Sequence, residues 1–172
     1  MRQRVDGKSP DVARSAYIHP NAMVIGEVTL GKQSSVWPGT VIRADLSPIT
    51  IGERTNIQDG CMVHSGVRLQ VHIGSGVLVG HKAILHSCDI EDGALIGMGS
   101  IVMDAAKIGA HSIVGAGSLV PKGYVVPPRT LVVGSPCRVV REVTDEEIAD
   151  IEERCERYIN MAKKYVGTGE IL

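Results

Sequence analysis

Phenylalanine is absent from this chain of 172 residues, and aromatic residues make up only 3% of it. A core without phenylalanine must be narrow and aliphatic, which places the single Trp37 and the four tyrosines outside it or in the tail. An excess of one charge is missing too. Lys+Arg 18 against Asp+Glu 19 leaves a net charge of -1, so nothing in the composition points to nucleic acid or to an anionic membrane surface. No apolar run is long enough to cross a bilayer. The opening stretch MRQRVDGKSPDV lacks the apolar centre of a signal peptide. The cysteines have no CxxC spacing and read as free thiols in a reducing cytoplasm. Two of them, Cys61 and Cys88, fall near the candidate site and read as small buried filler.

What is there is a repeat. Apolar residues recur every six positions over most of the chain. One run is Val12, Ile18, Val24, Leu30, Val36 and Ile42, and later ones lead through Ile51, Ile57 and Val63 and through Ile73, Val79 and Leu85. A last run goes from Ile90 to Val126, and glycine often follows the apolar residue. A period of six is neither helical nor simple alternation. It predicts a parallel β-helix in which three hexads make one triangular coil, with the leading aliphatic residue pointing inward and stacking on its counterpart in the next coil. Residues 1–140 are expected to form this coil with an N-terminal cap, in which residues 1–17 cover one open end. Residues 141–172 are expected to form a C-terminal α-helix and tail packed on the coil or a neighbouring chain, so that the fold class is all-β with a C-terminal helix. Thr144 and Glu147 spell a capping box for that helix. Ile148, Ile151, Cys155, Tyr158, Ala162 and Tyr165 make its apolar stripe, Lys163 and Lys164 suit its negative end, and the segment from Gly167 to Gly169 reads as frayed.

The phase of the repeat decides where side chains meet. Extra residues between Ile42 and Ile51 predict a bulge over residues 43–50, and another follows Val63. With these slips, Ile42, Val63 and Leu85 share one face, here face X, while Ile57 and Val79 share another, face Z. Each face-X residue is followed by a polar one, Arg43, His64 and His86, stacked at about the 4.8 Å spacing of neighbouring strands. Therefore His64 and His86 can converge on one ion. His81 lies around a corner on face Z, from which it reaches such an ion only in a neighbouring chain. The phasing argues for a metal site shared between adjacent chains of a homotrimer. Imidazole is a good ligand for Zn²⁺ and Fe²⁺, with Co²⁺ a further alternative, and three protein ligands leave one position open, the pattern of catalytic zinc. The remaining histidines, His19, His72 and His111, read as surface residues.

Several motifs accompany these histidines: Arg43-Ala44-Asp45, Asn56-Ile57-Gln58-Asp59, Val63-His64, Val79-Gly80-His81, Leu85-His86-Ser87-Cys88, Ile96-Gly97-Met98-Gly99 and Gly134-Ser135-Pro136. Together they make the chain resemble, over nearly its whole length, a gamma-class carbonic anhydrase of the short bacterial and archaeal type within the hexapeptide-repeat superfamily. The resemblance implies a left-handed coil, an exception to the usual right-handed crossover. It also implies reversible hydration of CO₂ to bicarbonate by metal-bound hydroxide at a trimer interface. In that setting His64, His81 and His86 hold the metal and Gln58 orients the hydroxide, with Asn56 as its support. Arg43 and Asp45 become an interface pair, where the residues alone would also allow an ion pair at a turn, and Asp59 pairs at the interface as well. Tyr158 resembles a position that approaches the metal in some members, but it also fits the helix stripe, which is the better reading of it. An archaeal branch of the family has an acidic residue after Arg-x-Asp and an acidic loop after the first metal histidine, which serve proton transfer. Here Leu46 stands at the first position and the loop from Ser65 to Gln70 has no carboxylate, so turnover is expected to be slow, buffer-dependent or absent. Two other classes remain open: an acyl-CoA thioesterase or acyltransferase of the same superfamily, and a non-catalytic trimeric scaffold that keeps the metal for stability.

Overall fold

The structure, a computed structural model, describes the backbone of residues 1–168 and the side chains of residues 1–166. Strands mostly of two or three residues alternate with corners, and those of the coil pair in parallel with their equivalents one coil away. This is the expected β-helix of hexapeptide repeats with one helix after it. On face X the register stacks Ile42, Val63, Leu85, Val102 and Val120. On face Z it stacks Val36, Ile57, Val79, Ile96 and Val114. A third face, Y, stacks Ile51, Ile73, Ile90, Ile108 and Val126. These aliphatic side chains are buried to within 1% and form one continuous core. Full burial of each contributes about 1.5–3 kcal/mol, which makes the axial stack the main support of the fold. The glycines after the inward residues let neighbouring coils approach closely along the axis. A Cβ on Gly80, for instance, would stand 2.8 Å from the backbone nitrogen of Met98 in the next coil.

The first predicted bulge is narrower than expected. Strand Val41–Ile51 runs around the corner from face X to face Y against strand Met23–Leu30. The ladder holds through Ala44 opposite Gly26 and resumes at Ile49 opposite Val28. Only Asp45, Leu46, Ser47 and Pro48, facing the single Glu27, leave it. Arg43 and Thr50 stay paired in the sheet on both sides, because each has a partner in the coil before and the coil after. The second bulge is a short loop closed by a bridge between Gly66 and Leu69. Face Z ends where Thr130–Gly134 turns back antiparallel along Cys137–Glu142. At the other end Arg2–Gln3 and Asp11–Val12 pair with the edge of strand Met23–Leu30.

Helix Asp145–Thr168 opens with the capping box: the Glu147 amide donates to Thr144 Oγ1 at 3.2 Å and the Thr144 amide donates to Glu147 Oε2 at 3.0 Å. Its Ile151 and Cys155 bury against Leu78 on face Z, and Ala162 closes over Trp37 and Tyr17. All of these lie outside the bore, as does the indole ring of Trp37 itself. Tyr165, which the stripe included, is half exposed, and Ile159, which it left out, is buried. The helix runs longer than its charge pattern suggested, so Lys163 and Lys164 precede a last turn that contains no basic residue. The expected fraying reaches residue 169, which lies outside the described residues. His111 is half buried and not fully at the surface, since its ring packs over Gly93 in the coil below.

Glu147 also ties the cap to charge. A hydrogen bond from Arg141 and one from the Thr144 amide hold its carboxyl down at about 2. The unfolded chain, with an ordinary carboxylate there, binds the proton first as pH falls, so this contribution is present above the ordinary carboxylate range and is lost on the way down to about 2. Glu147→Gln should therefore lower the urea midpoint at neutral pH, and the gap from the parent should close near pH 2; a gap unchanged by acid would contradict the assignment.

Candidate metal centre

Parallel register puts Arg43, His64 and His86 side by side on face X, as the spacing predicts. The two imidazoles tilt toward each other with ring centroids 5.1 Å apart, and His64 Nδ1 faces His86 Nε2 at 3.2 Å. The far nitrogen of each ring meets a carboxylate. His64 Nε2 lies 3.1 Å from Asp45 Oδ1, and His86 Nδ1 bonds Asp104 Oδ1. Each carboxylate accepts a hydrogen bond from the N–H of its neutral ring, so the nitrogens that face each other both present lone pairs. Two lone pairs at that distance repel unless a proton or metal ion lies between them. The separation also suits zinc, since two nitrogens at the usual bond length on a tetrahedral ion are about 3.3 Å apart. Imidazole pairs backed by carboxylates are the common outer arrangement of metal-bound histidine.

Asp45 reaches His64 because it is the first residue released by the bulge and turns back over its own strand, where Arg43 pairs with it as well. Partial burial would raise the Asp45 carboxyl, but the hydrogen bonds from His64 and Arg43 outweigh it and keep the group below the usual carboxylate range. The pair sits within one chain at the start of the bulge. Ser65, next to His64, accepts from the Ser47 amide at 3.3 Å and so fastens the other side of that bulge. Asp104 had no place in the sequence reading. It stands two residues after Val102, the next member of the face-X stack, and so lies in the turn one position beyond the register equivalent of His86.

His81 is elsewhere, as its phase demands. On face Z its Nδ1 lies 3.0 Å from Asp59 Oδ2, leaving Nε2 unbonded to that carboxylate. Among the described residues of one chain no three metal-ligating side chains come together. His81 lines a cavity of about 640 Å³ between face Z and the helix, together with Gln58 and Tyr158. Gln58 is 8% exposed, and its Nε2 donates to Asn56 Oδ1 at 3.0 Å, which leaves its carbonyl oxygen as the open acceptor. Asn56 is buried, with its Nδ2 unpartnered. Burial, and next the nearby Asp59 charge, push the Tyr158 phenol upward, so that it stays protonated at neutral pH. Cys61 is also close, but burial pushes its thiol up to about 12, so no thiolate nucleophile is available there. A slightly larger cavity of about 710 Å³ opens beside face Y, lined by Arg68, His72 and Lys107 and by none of the three histidines of the site.

The bacterial transferase hexapeptide family (six repeats) matches residues 87–122. The chain is similar to a protein named carbonic anhydrase from Geobacillus kaustophilus, 45% identical over 159 residues that cover 92% of this chain and 87% of that protein. It is similar to gamma carbonic anhydrase 2, mitochondrial, of Arabidopsis thaliana, 42% identical over 162 residues. This chain spans 58% of the length of that plant protein. Among solved structures, a hexapeptide transferase family protein from Anaplasma phagocytophilum superposes with a TM-score of 0.92 at 42% identity, covering 95% of this chain and 97% of that one.

Proposed function

Because the chain belongs to the gamma-class carbonic anhydrase family, we propose that it hydrates CO₂ reversibly to bicarbonate at a metal ion shared by adjacent chains of a homotrimer. The observation that carries this reading is the convergence of His64 Nδ1 and His86 Nε2 at 3.2 Å with a carboxylate behind each ring. Zn²⁺ fits this nitrogen set, with Fe²⁺ or Co²⁺ as alternatives, and His81 of a neighbouring chain would complete it. The ion would supply Lewis acidity and bring the pKa of a water to about 7.

The protein side chains have separate tasks. Asp45, Asp59 and Asp104 each hold one imidazole in a fixed orientation. Gln58, held by the bond from its amide nitrogen to Asn56, offers its carbonyl oxygen to a hydrogen of the attacking water and so aims the oxygen lone pair at CO₂. Tyr158 stays neutral at the cavity wall and can donate to a bicarbonate oxygen. Arg43 neutralises Asp45 beside the histidines. The assembly reading draws support from a ridge on face X next to these rings. Met62, Ile84 and Ile101, in register on three coils, are 41%, 42% and 38% exposed, an apolar surface that a second chain would cover. The four cysteines are free and buried, which suits a reducing cytoplasm, and no helix among the described residues is long and apolar enough to cross a membrane.

The test is stopped-flow CO₂ hydration on protein purified without oxygen, with metal counted on the same sample. About one ion per chain is expected, with a rate that rises with buffer concentration because the loop from Ser65 to Gln70 has no carboxylate to pass the proton on. Metal without hydration at any buffer concentration would overturn the anhydrase reading and favour acyl thioesters. The apolar floor of the cavity beside His81, formed by Leu78, Leu95, Ile113 and Met161, would suit those.

A further inference from the structure

We propose that Asp104 is a positioning residue that commits His86 to present Nε2, and not Nδ1, to the metal; the inference rests on the metal-site reading above. Four observations carry it. The Asp104 carboxylate bonds His86 Nδ1, and among the described residues it bonds no other side chain. Its backbone is clamped on both sides: the Gly123 amide donates to the Asp104 carbonyl at 2.8 Å, and the Ala105 amide donates to the Ser87 carbonyl at 2.7 Å. Ala105 itself sits at φ 57, so the turn that carries Asp104 is tight and lies directly against the residue following His86. Finally, the imidazole of His86 is 39% exposed against 16% for His64, so less surrounding protein restrains it.

The chemistry follows from imidazole itself. Neutral imidazole on a histidine in water prefers its proton on Nε2, and here that is the nitrogen facing His64. A proton there closes the site to a metal. An acceptor fixed at Nδ1 reverses the preference and opens Nε2. Asp45 holds His64 in the form imidazole already prefers, with the proton on Nε2, and it is restrained by Arg43, whereas Asp104 must reverse the preference with only its backbone clamp. Asp104 thus reaches across from the next coil to set the ligand face of His86, and the coil carrying Lys107 and beyond becomes part of the site's support.

The experiment uses Co²⁺ as the probe, titrated into metal-free protein and followed by its visible absorption. Alongside it, long-range ¹H–¹⁵N correlation reads the His86 tautomer in the metal-free protein. Asp104→Ala is expected to weaken Co²⁺ binding about 10- to 100-fold and to move the His86 proton from Nδ1 to Nε2. Asp104→Asn, which keeps the shape and a neutral acceptor oxygen, is expected to fall between, and it serves if the alanine variant does not fold. Unchanged Co²⁺ affinity, or a weakened affinity with the proton still on Nδ1, would overturn the proposal, the second because it marks a merely structural role. If the parent protein binds no Co²⁺ at all, the metal-site reading fails while the tautomer measurement still decides whether Asp104 directs His86.

Discussion

Two inactive preparations, one carrying His81→Ala and the other His86→Ala, are expected to regain activity when unfolded and refolded together. Each alone lacks a ligand, and its metal affinity should fall by more than the roughly 100-fold that outer-shell changes cost. A site between chains needs an intact face X from one chain and an intact face Z from the next. Random assembly from equal amounts supplies both in about a quarter of the sites. In the mixture, an intact site takes His64 and His86 from the His81→Ala chain and His81 from the other. A site confined to one chain would recover nothing, since every chain carries one lesion. The geometry favours recovery: His64 and His86 converge, while His81 lies on another face with its own carboxylate, Asp59. Metal bound per chain, measured on the same mixture, should rise with the activity. Failure of both to rise would remove the shared site and with it the reason for the trimer.

The second large effect is on stability and comes from a glycine. Gly26 has φ 79, and a Cβ built on it would stand 2.2 Å from the Ala44 carbonyl oxygen. No side-chain motion relieves that contact, since the oxygen belongs to the facing strand. Gly26→Ala must therefore either part the two strands or straighten the bulge, at a cost on the order of 3–5 kcal/mol. Gly7 gives the control. Its φ is also 79, but its Cβ would meet only the end of the Arg4 side chain at 3.7 Å. Gly7→Ala should lose about 1 kcal/mol, the backbone strain alone. Urea unfolding of both variants separates the two contributions, and equal losses would contradict the clash. Metal affinity should drop in the first and hold in the second, because Ala44 lies between Arg43 and Asp45.

The comparison of these two glycines also marks how far the sequence could be read. Spacing sufficed wherever the chain lies in a strand of the coil. Parallel register carries a residue to the same place one coil on, so a count from Ile42 to Val63 to Leu85 already gives the Arg43, His64 and His86 neighbours. The same count placed His81 on a different face, correctly. It worked less well at corners. Counting showed that residues were in excess between Ile42 and Ile51, but not which of them leave the ladder; the close approach of Gly26 to Ala44 decides that, and it confines the bulge to Asp45–Pro48. Asp104 was missed for a related reason. Side chains alternate predictably along a strand, whereas Asp104 occupies a turn whose direction is set by Ala105 in the left-handed region and by the clamp on Ser87. Tyr158 was legible as a member of the helix stripe, since it packs on Trp37 under the helix; the residue also lines the cavity of Gln58 and His81.

The scarcity of rings has one further consequence, for spectroscopy. Trp37 is the sole indole, is 3% exposed, and donates its Nε1 hydrogen to Ser35 Oγ at 3.0 Å. Tyr158 and Tyr165 of the C-terminal helix lie edge-on to it, with ring centroids 5.4 Å away in each case. Excited at the red edge, beyond the absorption of the four tyrosines, Trp37 emits as a single indole at the seam between coil and helix. That makes the indole emission a gauge of helix docking, distinct from the far-ultraviolet dichroism, which follows the secondary structure of coil and helix together. One sample, without any label, can tell whether the helix lets go before the coil unwinds.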